Sequence, residues 1–166
     1  MNIHKITSNS PEQTRELGVH IGRMAEPGDV ILLTGELGAG KTCLTQGIAW
    51  GLGIEGYAQS PTFVIMRELY GRLTLYHIDL YRLDDIDESA DLGLDEYFYG
   101  RGICVVEWAE KAMSIMPKNH LGIEIKYISD DEREFEMKPH GERYVKIVEN
   151  MEQSQRMAEG SGADSH

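Results

Sequence analysis

The sequence predicts an α/β fold, a single domain built on a mixed β-sheet flanked by helices. Three observations carry this expectation. Asp29 to Thr34 is an apolar run of strand length; it is followed by the glycine-rich segment Gly35 to Gly40, then by Leu44, Ile48 and Leu52 at helical spacing. Phe63 to Tyr70 and Leu73 to Asp79 are β-branched and aromatic runs separated only by Gly71-Arg72, a hairpin signature that rules out a wholly parallel sheet. A chain of 166 residues suffices for one domain with a proper core and is too short for two comfortable ones.

The elements follow in order. Asn2 to Thr7 reads as a short edge strand. Ser10-Pro11-Glu12-Gln13 is a helix start, with Ser10 as N-cap, Pro11 at the first helical position and Gln13 completing a capping box. Leu17, Ile21 and Met24 form one face of that helix, and Pro27-Gly28 stops it. The strand from Asp29 and its following helix end at Gly53, a C-cap residue. A loop through Ser60-Pro61-Thr62 leads into the hairpin, whose Gly71-Arg72 reads as a two-residue II′ turn. Asp84 to Ser89 is an acidic helix start, and Asp95 to Tyr99 is a short aromatic turn. Ile103 to Glu107 is a compact apolar strand ending in an acid. Leu121 to Ile128 and Glu134 to Pro139 are two further strands joined by the polar turn Ser129 to Arg133. Glu142 to Asn150 fits either a strand or a helix. From Met151 the composition turns to Glu, Gln, Ser and Gly, so residues 151–166 read as a disordered tail to a domain of residues 1–150.

Composition limits the function classes. Hydrophobic residues make up 41% and charged residues 27%, as in ordinary globular proteins. Residues 1–10 lack the apolar core of a signal peptide, and no apolar stretch reaches membrane-spanning length. Two cysteines, Cys43 and Cys104, are too few for a disulfide framework, which makes a reducing cytoplasm the simplest location. The formal charge is −12, from 16 basic and 28 acidic residues with no basic cluster. Nucleic-acid affinity depends on Lys and Arg neutralising phosphates. Direct, tight binding of RNA or DNA is therefore not expected, and a role near RNA would run through a more basic partner.

Gly35-Glu36-Leu37-Gly38-Ala39-Gly40-Lys41-Thr42 matches the phosphate-binding pattern GxxxxGK[ST], with a strand before it and a helix after it. Its glycines let successive backbone N–H groups turn toward one anion at a helix N-terminus. Lys41 then supplies a charge to the β- and γ-phosphates, and the Thr42 hydroxyl a ligand to Mg²⁺. The chain is expected to bind a nucleoside triphosphate on a P-loop NTPase-type sheet. Such a site needs an acid at the end of a neighbouring strand and a group that orients the attacking water. Two apolar strands end in acids, Asp79 and Glu107, and spacing alone does not say which faces the metal. Thr62 lies in the loop where nucleotide switches sense the γ-phosphate, although an ordinary Ser-Pro-Thr turn reads the same way. His77 shares a strand face with Asp79 and reads as a core histidine. Cys43 sits in the first turn of the phosphate helix, where the helix dipole lowers a thiol pKa, and it reads as a packing residue with no chemical role. Trp108, next to Glu107, reads as buried or as a rim contact for a partner.

These residues resemble the TsaE (YjeE) family. The resemblance rests on the P-loop above, on Ser60-Pro61-Thr62-Phe63 and on Tyr76-His77-Ile78-Asp79-Leu80-Tyr81-Arg82-Leu83. Leu92-Gly93-Leu94-Asp95-Glu96-Tyr97 and Val106-Glu107-Trp108 complete it, in matching order from about Pro11 to Arg133. The resemblance implies an ATPase that supports N6-threonylcarbamoylation of adenosine in tRNAs reading ANN codons, with ATP and Mg²⁺ as cofactors. It implies that Lys41 and the loop residues Leu37, Gly38, Ala39, Gly40, Thr42 and Cys43 hold the nucleotide, and that Thr42 and Glu107 hold Mg²⁺. Asp79 is implied beside the γ-phosphate and the attacking water, so that Lys41, Asp79 and Glu107 form the catalytic set. Pro11, Thr14 and Arg133 are implied as further nucleotide contacts, and Ser60, Thr62 and Trp108 as switch or partner residues. The implied partners are TsaB and TsaD, on whose complex hydrolysis permits repeated rounds, with a functional link to TsaC or a Sua5-type enzyme. Two departures stand outside these roles: Glu36 where the family usually has Asp, and Ala109 where Pro often follows Glu-Trp.

Two other readings use the same loop. A small-molecule kinase needs an arginine-bearing lid, for which only Arg82 and Arg101 are at hand. A nucleotide-dependent binding module without turnover has no use for a water-orienting acid at Asp79. A signalling GTPase is excluded, since neither Asn-Lys-x-Asp nor Asp-x-x-Gly occurs.

Overall fold

The apolar strand that precedes the glycine loop lies at the centre of a seven-stranded sheet. The structure is a computed structural model and describes residues 3–36, 38, 40–55, 66–83 and 93–164, with side chains through residue 157. Leu37, Ala39, Ser60, Thr62 and the helix start at Asp84 lie outside the described residues. Along the chain come β1 (His4–Ser8), α1 (Pro11–Met24), β2 (Val30–Gly35), α2 (Lys41–Gly51), β3 (Met66–Tyr70) and β4 (Thr74–Asp79). They are followed by α3 (Asp95–Phe98), β5 (Ile103–Glu107), a 3₁₀ segment (Ala109–Ile115), β6 (His120–Tyr127), β7 (Arg133–His140) and α4 (Glu142–Asp164).

Strand order is β1-β7-β6-β2-β5-β4-β3. β2 runs parallel to β5 and β6, and β4 runs parallel to β5, while β1, β7 and β3 close the flanks antiparallel. The sheet is mixed and flanked by helices, as the motif and the hairpin together require. Its carboxyl edge gathers the ends of β2, β4, β5 and β6.

Alternation along the central strands builds two cores. Ile31, Leu33, Ile103 and Val105 pack with Ile21, Leu44 and Ile48 on the side of α1 and α2. Val30, Leu32, Cys104, Val106 and Ile78 pack with Leu94, Phe98 and Ala109 on the other side. By the same parity His77, Asp79 and Glu107 lie on the α2 side, and this decides where the functional acids point.

α1 meets α2 through glycines rather than through the Leu17, Ile21 and Met24 face alone. A Cβ on Gly18 would stand 2.4 Å from Leu44 O, and one on Gly22 2.3 Å from Ile48 O. Reciprocally, a Cβ on Gly47 would stand 2.1 Å from Arg15 O, and one on Gly51 2.3 Å from Val19 O. The backbones approach so closely that no side chain fits between them. Ser10 caps α1 and accepts from Gln13 N–H at 3.1 Å, but Gln13 Oε1 in return accepts from Asn9 N–H at 2.7 Å, one residue earlier than a standard box.

Two further expectations are corrected. Tyr70 pairs with Thr74, so the hairpin loop is the three residues Gly71-Arg72-Leu73, and Gly71 does not have a positive φ. Glycine is needed there for space, since a Cβ would lie 2.4 Å from Leu52 O, whose carbonyl accepts Arg72 N–H. Residues 151–164 are not a disordered tail: α4 runs on to Asp164. Tyr144, Ile147, Val148 and Met151 recur at helical spacing and are all buried against the α2-side core. The next turn is tied to β1, because His4 Nε2 meets Gln155 Oε1 at 2.9 Å and His4 Nδ1 lies 3.4 Å from Glu152. Over residues 151–157 the polar Gln153 and Arg156 are exposed while Glu152, Ser154 and Gln155 are half-buried.

Candidate active site

The turn from β2 into α2 is made by glycines with φ of 79° at Gly38 and 113° at Gly40, the latter being the N-cap of α2. Ideal Cβ atoms on either residue would meet nothing within 4 Å, so open space adjoins backbone N–H groups at a helix start. That is the shape an anion needs. Gly38, Gly40, Lys41, Thr42, Cys43, Asp79, Tyr81, Glu107 and Trp108 line one cleft of about 390 Å³.

The two strand-end acids meet there because β4 and β5 are adjacent and parallel, with Asp79 in register with Glu107. Glu107 is 2% exposed and accepts from the Thr42 hydroxyl through Oε1 at 3.2 Å. Its Oε2 meets the Nε2 of His77, a fully buried ring. Asp79 is held differently: its Oδ1 accepts from Tyr81 N–H at 2.9 Å in a tight turn past the strand end. Thr42 and Glu107 together present two hard oxygens, a donor set suited to Mg²⁺.

Lys41 is 5% exposed, and its ammonium donates to Gly35 O at 2.6 Å and Glu36 O at 2.8 Å. Burial holds its pKa below the ordinary lysine value, against the opposing pull of Glu110, Glu107, Asp79 and Glu36. The ammonium also lies 3.9 Å from the centroid of the Trp108 ring. Trp108 takes the left-handed conformation, φ 61°, rare for a bulky residue, and its ring packs 5.0 Å from Tyr81. Cys43 donates to Pro11 O at 3.3 Å and accepts from Arg15. Its thiol pKa is raised, a correction to the expectation of a lowered one: desolvation by burial outweighs the lowering effect of the Arg15 guanidinium.

A smaller cavity, about 80 Å³, adjoins the cleft across Gly40 and Cys43 and is lined by Ser10, Pro11, Thr14, Asp130, Asp131 and Arg133. The glycine contact between α1 and α2 brings Pro11 and Thr14 here. Thr14 is buried, with its hydroxyl 2.8 Å from Ser8 Oγ. Arg133 stacks 4.4 Å from the Tyr127 ring and reaches Gly38 O at 3.5 Å.

Two contributors escaped sequence reasoning. Glu110 accepts from Gly35 N–H at 3.2 Å and so pins the start of the loop from the 3₁₀ segment. Lys111 donates to Tyr81 O and Leu83 O, tying the segment after Asp79 to the segment after Glu107. Their signal was position alone, two and three residues past Glu107-Trp108 in the 3₁₀ segment that follows a strand whose end enters the site.

The family model described as "Threonylcarbamoyl adenosine biosynthesis protein TsaE" matches residues 8–135. A protein of Bacillus subtilis named "tRNA threonylcarbamoyladenosine biosynthesis protein TsaE" is 48% identical over 143 residues, covering 86% of this chain and 89% of its own. A protein of the same name from Treponema pallidum is 42% identical over 130 residues, covering 78% and 96%. The crystal structure titled Bacillus subtilis YdiB superposes with a TM-score of 0.81 at 41% identity, covering 93% of this chain and 97% of that one. With a family match over most of the folded residues and relatives of more than 40% identity covered almost end to end, the chain belongs to the TsaE family.

Proposed function

We propose that this chain is a Mg²⁺-dependent ATPase subunit that serves tRNA threonylcarbamoyladenosine formation by acting on a TsaB–TsaD complex in the cytoplasm. One observation carries the catalytic part: Asp79 and Glu107 stand side by side at the carboxyl edge, in the cleft that Lys41 and Thr42 also line. The family membership and the names of the relatives carry the pathway part.

Each side chain has a distinct task. The loop amides and Lys41 bind and orient the phosphates. Thr42 and Glu107 would hold Mg²⁺, which when bound would supply charge neutralisation in the transition state. Asp79, anchored by Tyr81 N–H, orients the attacking water. Trp108 and Tyr81 wall one side of the cleft and limit solvent access. Acids near Lys41 (Glu36, Asp79, Glu107 and Glu110) make the cleft inhospitable to a bare polyanion and receptive to a metal–nucleotide complex. The adenine side is assigned to the smaller cavity with Pro11, Thr14 and Arg133. No described helix is long and apolar enough to cross a membrane, in keeping with a cytoplasmic task.

The test is ATP hydrolysis by the purified chain, alone and with TsaB–TsaD, together with modification of tRNA over several turnovers. Slow turnover alone and stimulation by the complex are expected, with both lost in Lys41→Ala. Full ATPase of Lys41→Ala on the complex would remove the phosphate-site assignment. ATP consumption that required an added small-molecule acceptor, with the phosphoryl group transferred to that acceptor and ADP left behind, would point to a kinase.

A further inference from the structure

We propose that His77 is a positioning residue for the metal site: its ring fixes the Glu107 carboxylate so that Oε1 stays at the Thr42 hydroxyl. The inference rests on the Mg²⁺–nucleotide reading above and adds to it a residue that neither binds phosphate nor lines the cleft.

The geometry follows from strand register. His77 pairs with Val105, and Asp79 pairs with Glu107, so His77 and Glu107 are diagonal neighbours on the same face of two parallel strands. The preceding residue on that face, Leu75, belongs to the α2-side core. A packing role at position 77 alone would call for another aliphatic side chain. Instead there is a polar ring with no solvent exposure at all.

How its nitrogens are used separates a satisfied core histidine from a directed one. Nε2 engages Glu107 Oε2, whereas Nδ1 is buried without a partner. A histidine retained only for core polarity would have both nitrogens satisfied, because a buried polar atom without a partner is destabilising. Here the hydrogen-bonding capacity is directed to one carboxylate oxygen, with the proton assigned to Nε2 by that bond. Glu107 is thereby divided: Oε2 is occupied by the ring, and Oε1 is turned to Thr42 at 3.2 Å. The terminal torsion of a glutamate is broad, so loss of this anchor loosens the hold on the carboxylate plane at the metal position. Ligating carboxylates held by an outer hydrogen bond lose metal affinity when that bond is removed.

The experiment measures binding of a fluorescent ATP analogue by the full chain, first in chelator and then across a Mg²⁺ titration. Thermal unfolding is followed alongside. In His77→Leu the Mg²⁺ concentration for half-effect is expected to rise about 10- to 100-fold, while Mg²⁺-free affinity stays within about twofold. His77→Gln places an amide nitrogen where Nε2 stood and should restore the parental Mg²⁺ response. His77→Asn places it near Nδ1 and should not. The Gln–Asn comparison decides the matter even where the leucine variant fails to fold. Equal Mg²⁺ responses in Gln and Asn, or an unchanged one in Leu, overturn the proposal and leave the phosphate site standing. A parent protein whose nucleotide binding ignores Mg²⁺ overturns the metal reading itself, and this inference with it.

Discussion

Gly47→Ala tests the packing that holds α1 against the phosphate helix. Alanine is the better helix former, so in an exposed helix interior the change would stabilise by about 1 kcal/mol. Here the new Cβ would lie 2.1 Å from Arg15 O and 2.9 Å from Arg15 Cα. The obstacle is backbone, not the end of a flexible side chain, so it must retreat by about 1.3 Å to reach ordinary contact at 3.4 Å. Gly18, Gly22 and Gly51 key the same interface, so α1 must move as a body. Overpacking of this kind costs about 1–3 kcal/mol, and a rigid obstacle belongs at the upper end. Set against the propensity gain, the net loss is about 2 kcal/mol, which for a chain of this size lowers Tm by about 4–8 °C. Gly122→Ala is the control: its nearest neighbour, Lys138 O, is 3.5 Å away, and the change should stay within about 0.5 kcal/mol. Thermal and urea unfolding of both variants measure this. A Gly47→Ala protein that melts at or above the parent would mean that the two helices do not touch as described.

The other expectations concern the site and its flanks. Thr42→Val keeps the shape of the side chain and deletes the hydroxyl that meets Glu107, so Mg²⁺-dependent tightening of nucleotide binding should vanish while chelator-resistant binding survives; calorimetry in both conditions decides. Trp108→Gly should be more stable than Trp108→Ala by about 0.5–1 kcal/mol, because both delete the ring and only alanine keeps a Cβ at φ 61°. An alanine variant as stable as the glycine one would contradict the left-handed backbone there. Cys104 is fully buried and its thiol is pushed up to about 12, so alkylation at pH 8 should label it only on unfolding, as read by mass spectrometry. Because the folded pKa exceeds the unfolded value of 9.0, this thiol's contribution to stability is complete below pH 9 and is lost as pH rises toward 12.

Much of this arrangement was legible because it depends on local chemistry. The strand, glycine loop and helix from Asp29 to Leu52 are a sequence-contiguous device, and alternation put His77 and Asp79 on one face before any contact was known. What stayed illegible depends on proximity across the chain. The register that sets Asp79 beside Glu107 comes from parallel pairing of strands separated by more than twenty residues, so the two acids could be named but not assigned. The glycines of α1 are poor helix formers by propensity, and their value lies in the carbonyls of α2 that they admit. Spacing of four between Gly18 and Gly22, and again between Gly47 and Gly51, was the available clue. The extension of α4 past Met151 was hidden by composition: the buried stripe of Tyr144, Ile147, Val148 and Met151 ends there, and the next turn is held by polar contacts of Glu152 and Gln155 with the distant His4.

Charge links the cleft to the partner proposal. Among the described residues lining the cleft, Lys41 is the one basic side chain, and Asp79 and Glu107 are its acidic company. The ammonium of Lys41 is already shared between two loop carbonyls and the Trp108 ring. Lys111, nearby, is committed to backbone carbonyls beyond β4. Phosphoryl transfer leaves charge on the equatorial oxygens that a metal and a single lysine neutralise incompletely, and in related chemistry an added arginine is worth about 10³–10⁵ in rate. On the proposed reading the missing cation comes from the docked complex, and the −12 charge of this chain favours a basic face on that complex. Stimulation of ATPase by TsaB–TsaD should then disappear on replacing one arginine of the complex while docking persists. Stimulation that survived replacement of every interfacial arginine would place the cation within this chain.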